Sequence, residues 1–460
     1  MLTVLSDDQV NSILENLKRD ELEGFSNVLS RSLHEFSTNA QVADSGVFQQ
    51  PRRVTTQHPE TKATTLYMPS CGPKGMGCKD PTAEPSITSI SPTGVVNLIT
   101  PDGRLQGVVH AATLTAFRTA LASACLLNRR SHVKTLTVFG SGNQAYWHLR
   151  LALMMRGSTI KHVYIINHRF SSSVAALLKR FSIIPTDIKE REGWSDTKFA
   201  MLTPSFHEFE RLQKEYIRAA DVLYCCTPSR DDLFDAAILT NHEGRKKGRL
   251  IIAVGSLSSE MRELPLGLLH LAVKQHDHSE KPHRHFHKHA EEGGVIVVDT
   301  LDGALRDAGE IITGQIPATS LVELGELVML HRLRLQESEV GDEAAESGVS
   351  LDKLNLQDSP SAMSSVYGNE NAQPASPSSG SSSPTSRKPS FPLPFLKHSK
   401  SSSSDHNEKK KKHEDHLVRW LRDGTVIYKS VGLGLMDLVV GMHLVELANE
   451  KDIGTRISGF

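Results

Sequence analysis

The stretch "TVFGSGNQAYWH", Thr137 to His148, constrains the fold more than any other. A short apolar run ends on Gly140-x-Gly142-x-x-Ala145, and an amphipathic helix follows at once. Gly140 suits a tight turn, Gly142 lets a pyrophosphate approach the backbone, and Ala145 permits close packing of helix on strand. The free N–H groups of a helix start, here carried by Ser141, Asn143 and Gln144, are a ready site for that anion. On its own the motif is a weak signal. Here a second apolar run, Tyr164–Ile166, follows the helix and completes a β-α-β unit, so the turn is read as dinucleotide-binding.

The end of that second run bears on the choice of dinucleotide. Where an NAD protein carries an acid for the ribose 2′-hydroxyl, this chain has Asn167-His168-Arg169. Without a carboxylate to repel a 2′-phosphate, and with an arginine to bind it, NADP(H) is favoured and NAD(H) is the alternative.

The rest of the chain fits an α/β architecture. Beyond Leu114, helical and short apolar strand-like segments alternate through "TLTVF", "HVYII", "DVLYCCT", "LIIAVG" and "VIVVDT", as in a doubly wound Rossmann-type domain. We place it at 112–335, after an α+β substrate-binding and dimerisation domain at 1–111 that includes a hairpin around "TPDGR". Ser6 with Gln9 forms a capping box that opens a helix over Val10, Ile13 and Leu14, in place of a signal peptide. From 336 to 414, serine, proline and lysine replace the large apolar residues, a composition that cannot offset the entropy of ordering. The segment 415–460 regains apolar periodicity and is expected to return to the substrate domain.

Bulk properties exclude several classes. A formal net charge of −1 gives no general attraction to nucleic acid or anionic membrane. No apolar run reaches the roughly 18 residues of a membrane span. Five cysteines without a CxxC pattern suit a reducing, cytoplasmic setting and argue against structural zinc. Six histidines between His276 and His289 are read as a solvated loop, and Lys409–Lys412 as a solvated charge run, so no metal is expected. Ser-Pro steps and "RKPSFPLP" leave a protein partner for the 336–414 insert open.

Six segments, in order, resemble the ornithine cyclodeaminase and mu-crystallin family: "QQPRRV", "GMGCKD", "TLTAFRTALASA", "FGSGNQAYWH", "SLVELGELV" and "YKSVGLGLMDL". The resemblance implies a two-domain, homodimeric oxidoreductase acting on small α-carboxylate imines, keto acids or amino acids. Arg53 and Arg118 fall at its carboxylate-binding arginines and Lys79 at its active-site lysine. Arg52 is adjacent, but the P-x-R spacing favours Arg53. Held near two guanidinium groups and desolvated, Lys79 would have a lowered pKa and exchange a proton with the substrate nitrogen. The cofactor positions would be Arg118, Thr119, Gly140–Ala145, Asn167–Arg169, Thr227, Gly255, Ser256, Ser430 and Gly432. Ornithine cyclodeaminases carry an aspartate where "AVGSLSSEMREL" has Leu257, which weakens a cyclodeaminase reading and favours the ketimine reductase-like, mu-crystallin branch. A dinucleotide-binding protein without turnover is the remaining alternative.

Overall fold

The computed structural model describes residues 1–39, 47–83, 93–255, 258–274, 293–328, 418 and 420–460. The histidine-rich loop, the 336–414 insert, Ser256 and Leu257 lie outside the described residues.

Two sheets organise the fold. The first is seven-stranded and mixed. It comprises β1 (Leu2–Leu5), β2 (Val54–Gln57), β3 (Thr64–Gly72), β4 (Gly75–Ala83), β5 (Thr93–Ile99), β6 (Leu105–His110) and β15 (Thr455–Ile457), in the order β15-β1-β6-β5-β4-β3-β2. The predicted hairpin is β5–β6, paired antiparallel. Helix α1 (Asp7–Glu15) carries the Ser6–Gln9 capping box and buries Val10, Ile13 and Leu14. After it come α2 (Arg19–Asn39) and α3 (Ala111–Leu127), the latter almost wholly buried.

The second sheet is eight-stranded and parallel. Its strands are β7 (Thr135–Phe139), β8 (His162–Ile166), β9 (Lys198–Leu202), β10 (Val222–Cys225), β11 (Leu250–Ala253), β12 (Val295–Val298), β13 (Leu321–Glu323) and β14 (Val426–Lys429), in the order β13-β12-β14-β11-β10-β7-β8-β9. The strands β7, β10 and β11 are buried at every residue, which is why they read as continuous apolar runs instead of alternating. Helix α4 (Asn143–Arg156) follows β7, and α5 (Ser172–Ile183) follows β8. The chain leaves β7 for β8 on one side, while β10 lies on the other. That is a topological switch point, where such sheets open a crevice at the carboxyl ends of their strands.

The C-terminal segment divides between the sheets. Val426–Lys429 pairs in parallel with both β11 and β12, so the strand after the insert sits inside the second sheet. The helix Gly434–Glu450 then packs on β3–β6, α2 and α3 of the first sheet, and Thr455–Ile457 adds to its edge beside β1. Only the helix and last strand thus return to the first sheet. Tyr428 and its neighbours are buried enough to be a core strand of a parallel sheet, and a gap was open for them between β11 and β12.

Candidate active site and dinucleotide crevice

Lys79 lies mid-strand in β4, not in a glycine-rich loop, opposite Met68 of β3 and Val96 of β5. Gly77, two residues back, shares its face; a Cβ there would stand 3.1 Å from Leu438 Cδ1. The missing side chain lets the helix Gly434–Glu450 lie close over the strand. That helix places Asp437, fully buried, against Lys79: Nζ donates to Oδ1 at 3.2 Å and Oδ2 at 3.3 Å. Arg118, from α3, donates through Nε to the same Oδ1 at 3.1 Å. Two cations therefore share one carboxylate, and the buried cluster keeps a net positive charge. Burial pulls the Lys79 ammonium down to about 8, with Asp437 opposing and Arg118 and Arg53 reinforcing the shift.

Arg53 approaches from the segment before β2. Its Nη2 donates to the carbonyls of Val431 at 3.3 Å and Gly432 at 3.4 Å, and lies 3.4 Å from Asp307. All of these contacts are made through Nη2, and among the described residues no hydrogen bond is seen at Nε or Nη1. Arg52 is exposed, which assigns the inward position to Arg53. Burial lowers the Arg53 pKa, opposed by Asp307. Beside it a cleft of about 180 Å³ is lined by Gln50, Met68, Thr300, Glu323, Gly432 and Leu433 among others. Gly432 has φ +80°, and a Cβ there would stand 2.9 Å from Arg118 Nη2, so only glycine lets this turn approach the guanidinium.

The crevice of the second sheet opens beyond the same turn. Gly140, with φ +103°, donates its N–H to Ile166 at 3.0 Å; a Cβ would meet the Cys226 carbonyl at 2.8 Å. Gly142 is the N-cap of α4, has no side-chain cap, and faces open space. Ala145 is buried against the sheet, as the motif requires. The Gln144 Oε1 atom is buried without a partner among the described residues. An uncapped helix start with open space at Gly142 fits a dinucleotide pyrophosphate there. Ser141 Oγ lies 3.0 Å from Ser173 Oγ at the start of α5, and Asn143 Oδ1 accepts from Arg180 at 3.2 Å. At the end of β8, Asn167 is buried and donates to the Arg169 carbonyl at 2.9 Å, while His168 and Arg169 are exposed.

At other candidate positions the structure shows internal hydrogen bonds. The N–H groups of Thr227 and Gly255, after β10 and β11, both donate to the buried carboxylate of Glu263, at 2.8 and 2.7 Å. Ser430 Oγ, Val431 N and Gly432 N all donate to Asp299 Oδ2 at 2.7–2.9 Å. Thr119 is buried in α3 and donates to the Thr115 carbonyl. Sequence reasoning missed Asp437, Asp299, Glu263 and Asp307. For Asp437 and Asp299 the signal existed: a lone acid in or ending a long apolar run, "GLMDLVV" and "VIVVDT".

No family model matches the chain. An uncharacterized protein of Saccharomyces cerevisiae is 24% identical over 359 residues, spanning 74% of this chain and 90% of that protein. Among solved structures, the Δ1-pyrroline-2-carboxylate reductase of Thermococcus litoralis, bound to NADH and L-proline, covers 99% of this chain and 100% of its own at 17% identity and TM-score 0.59. An archaeal alanine dehydrogenase dimer with bound NAD covers 100% and 99% at 17% identity and TM-score 0.59. A lysine cyclodeaminase covers 99% and 95% at 17% identity and TM-score 0.56. The chain has the fold of these reductases and cyclodeaminases. Within that fold, both sheets and the C-terminal helix are accounted for, and no helix among the described residues is long and apolar enough to cross a membrane.

Proposed function

We propose that the chain is a nicotinamide-dinucleotide-dependent oxidoreductase acting on the C=N or C–N bond of a small α-carboxylate imine, keto acid or amino acid, with NADP(H) favoured. The observation that carries this is the buried pairing of Lys79 and Arg118 on Asp437, with Arg118 and Arg53 both against the turn at Gly432. A purely structural cluster would be expected to balance its charges; here Lys79 and Arg118 share Asp437 alone, leaving room for one anion.

A bound nicotinamide would supply or take the electron pair of the C–N redox change. Its dinucleotide would lie along Gly140–Ala145, with the adenosine ribose near Asn167 and Arg169. Arg53, anchored through Nη2, can offer single charge-assisted hydrogen bonds from Nε or Nη1 to the substrate carboxylate. Lys79, with a pKa near neutrality, gives a proton to the substrate nitrogen on reduction and takes it back on oxidation. Asp437 holds that ammonium in place, and its burial, at about 4% exposure, limits competition from water. A homodimer through the first sheet, whose edge strand Val54–Gln57 is fully exposed, belongs to the same proposal.

The test is nicotinamide absorbance of the purified full chain with NADPH or NADH, offered cyclic ketimine carboxylates and keto acids with ammonia. Consumption with at least one of them, faster with NADPH, is expected. Tight NADPH binding with no consumption across the panel would favour the alternative of a binding protein without turnover.

A further inference from the structure

Arg180, on the third turn of α5, is absorbed by none of the chemistry above, yet it bridges two other helices at once. Its Nη1 donates to Asn143 Oδ1 at 3.2 Å, in the first turn of α4. Its Nη2 donates to Asn11 Oδ1 and Glu15 Oε1 of α1, each at 3.0 Å. Its guanidinium stacks 3.3 Å above the Tyr146 ring. Glu15 in turn accepts from the Tyr146 hydroxyl and lies 3.5 Å from Arg150, which is clamped by Glu192 at 2.6 and 2.8 Å. The group is half-buried, planar and multiply bonded, the geometry in which arginine fixes neighbours instead of merely neutralising them.

We propose that Arg180 is a positioning residue for the dinucleotide. By holding Asn143, it fixes the uncapped first turn of α4, and by holding Asn11 and Glu15 it ties that turn to α1 beside the first sheet. The anion-binding N–H groups after Gly142 are thereby preorganised, and cofactor affinity depends on how α1 is docked. Preorganisation of this kind appears in binding, because an ordered turn has less freedom to lose. Arg180 itself makes no contact with the reacting atoms. The proposal rests on the dinucleotide reading of the turn, and the experiment separates the two.

NADPH dissociation constants are measured by calorimetry on the full chain for wild type, Arg180→Gln, Arg180→Lys, Asn143→Ala, the double variant Arg180→Gln/Asn143→Ala, and Gly142→Val. Circular dichroism melting checks that each is folded. Arg180→Gln and Asn143→Ala are each expected to raise Kd about tenfold, and the double variant no further than Arg180→Gln alone, since both cut one connection. Arg180→Lys, which keeps the charge and loses the fork, is expected to weaken binding alike. In the Arg180 variants the effect should fall on KM for dinucleotide and spare kcat at saturation. Asn143→Ala removes the other, half-buried end of the connection, so its Kd carries the test if an Arg180 variant fails to fold. Wild-type Kd in Arg180→Lys would overturn the proposal by reducing the role to charge. So would Kd within about twofold of wild type in Asn143→Ala while Gly142→Val abolishes binding. Unchanged binding in Gly142→Val would instead overturn the dinucleotide reading itself.

Discussion

At the residue scale, the site is a problem of burying cations. Lys79 and Arg118 are each about 4% exposed, and neither could be held there without Asp437. Removing the carboxylate leaves both unpaired, a change that costs about 3–5 kcal/mol in comparable buried pairs. Asp437→Asn should therefore lower the melting temperature sharply and abolish turnover, read by circular dichroism and by absorbance. His148 shows the opposite role. It matches the histidine of a cofactor-turn motif, but the structure places it in the core: Nδ1 donates to the Gln144 carbonyl at 2.7 Å, and Nε2 accepts from Ser123 at 2.9 Å. Burial lowers it to about 4, so between about 6.5 and 4 the unfolded chain binds a proton that the folded chain does not. Stability from this group is complete above about 6.5 and is lost as pH falls, by roughly 3 kcal/mol in all. Acid melting curves should show that slope, and His148→Gln should flatten it. The cations were legible because their motifs are local. Their counter-ion was not, because Asp437 is distant in sequence and only the packing of helix on strand brings it near.

At the scale of elements, the β7–turn–α4 unit was legible in full, since local geometry alone dictates where glycine must stand. The β4 strand was not. Its glycines suggest a loop, but Gly75 closes the hairpin with φ +145° and Gly77 makes space for a helix, both tertiary demands. The strand Lys198–Leu202 at the sheet edge also escaped notice, being short and mostly half-exposed. The β8 terminus carries a prediction of its own. Asn167→Asp with Arg169→Ala would install a ribose acceptor and remove the phosphate ligand. The ratio of kcat/KM for NADPH over NADH should then fall by about tenfold or more, measured by initial rates with both cofactors. An unchanged ratio would place cofactor choice elsewhere.

At the scale of the whole molecule, the long chain between Val328 and Val418 enters and leaves at one corner. Arg129 at the end of α3 donates to the Val328 carbonyl at 2.8 Å, and the adjacent Arg130 donates to the carbonyls of Leu421 at 3.2 Å and Gly424 at 2.7 Å. This corner precedes β7, at the amino ends of the parallel strands, away from the crevice at their carboxyl ends. Replacing 336–414 by a short glycine-serine linker should therefore preserve the thermal transition and turnover within about twofold, because closure entropy changes only slowly with the length of a connection. Composition delimited that segment, but it could not show that Val426–Lys429 enters the middle of the second sheet, because a four-residue apolar strand names no partner. The two sheets are joined by α3, between β6 and β7, and by the turn Ser430–Leu433, after which the C-terminal helix brings Asp437 to Lys79; the account depends on that placement. Its most direct test is the pH dependence of NADPH oxidation with a cyclic ketimine carboxylate, comparing wild type with Lys79→Ala. Wild-type kcat/KM should fall as pH rises through about 8, as the ammonium that donates the proton is lost, and the variant should be nearly inactive at every pH. Wild-type turnover in Lys79→Ala, with the same pH profile, would contradict it.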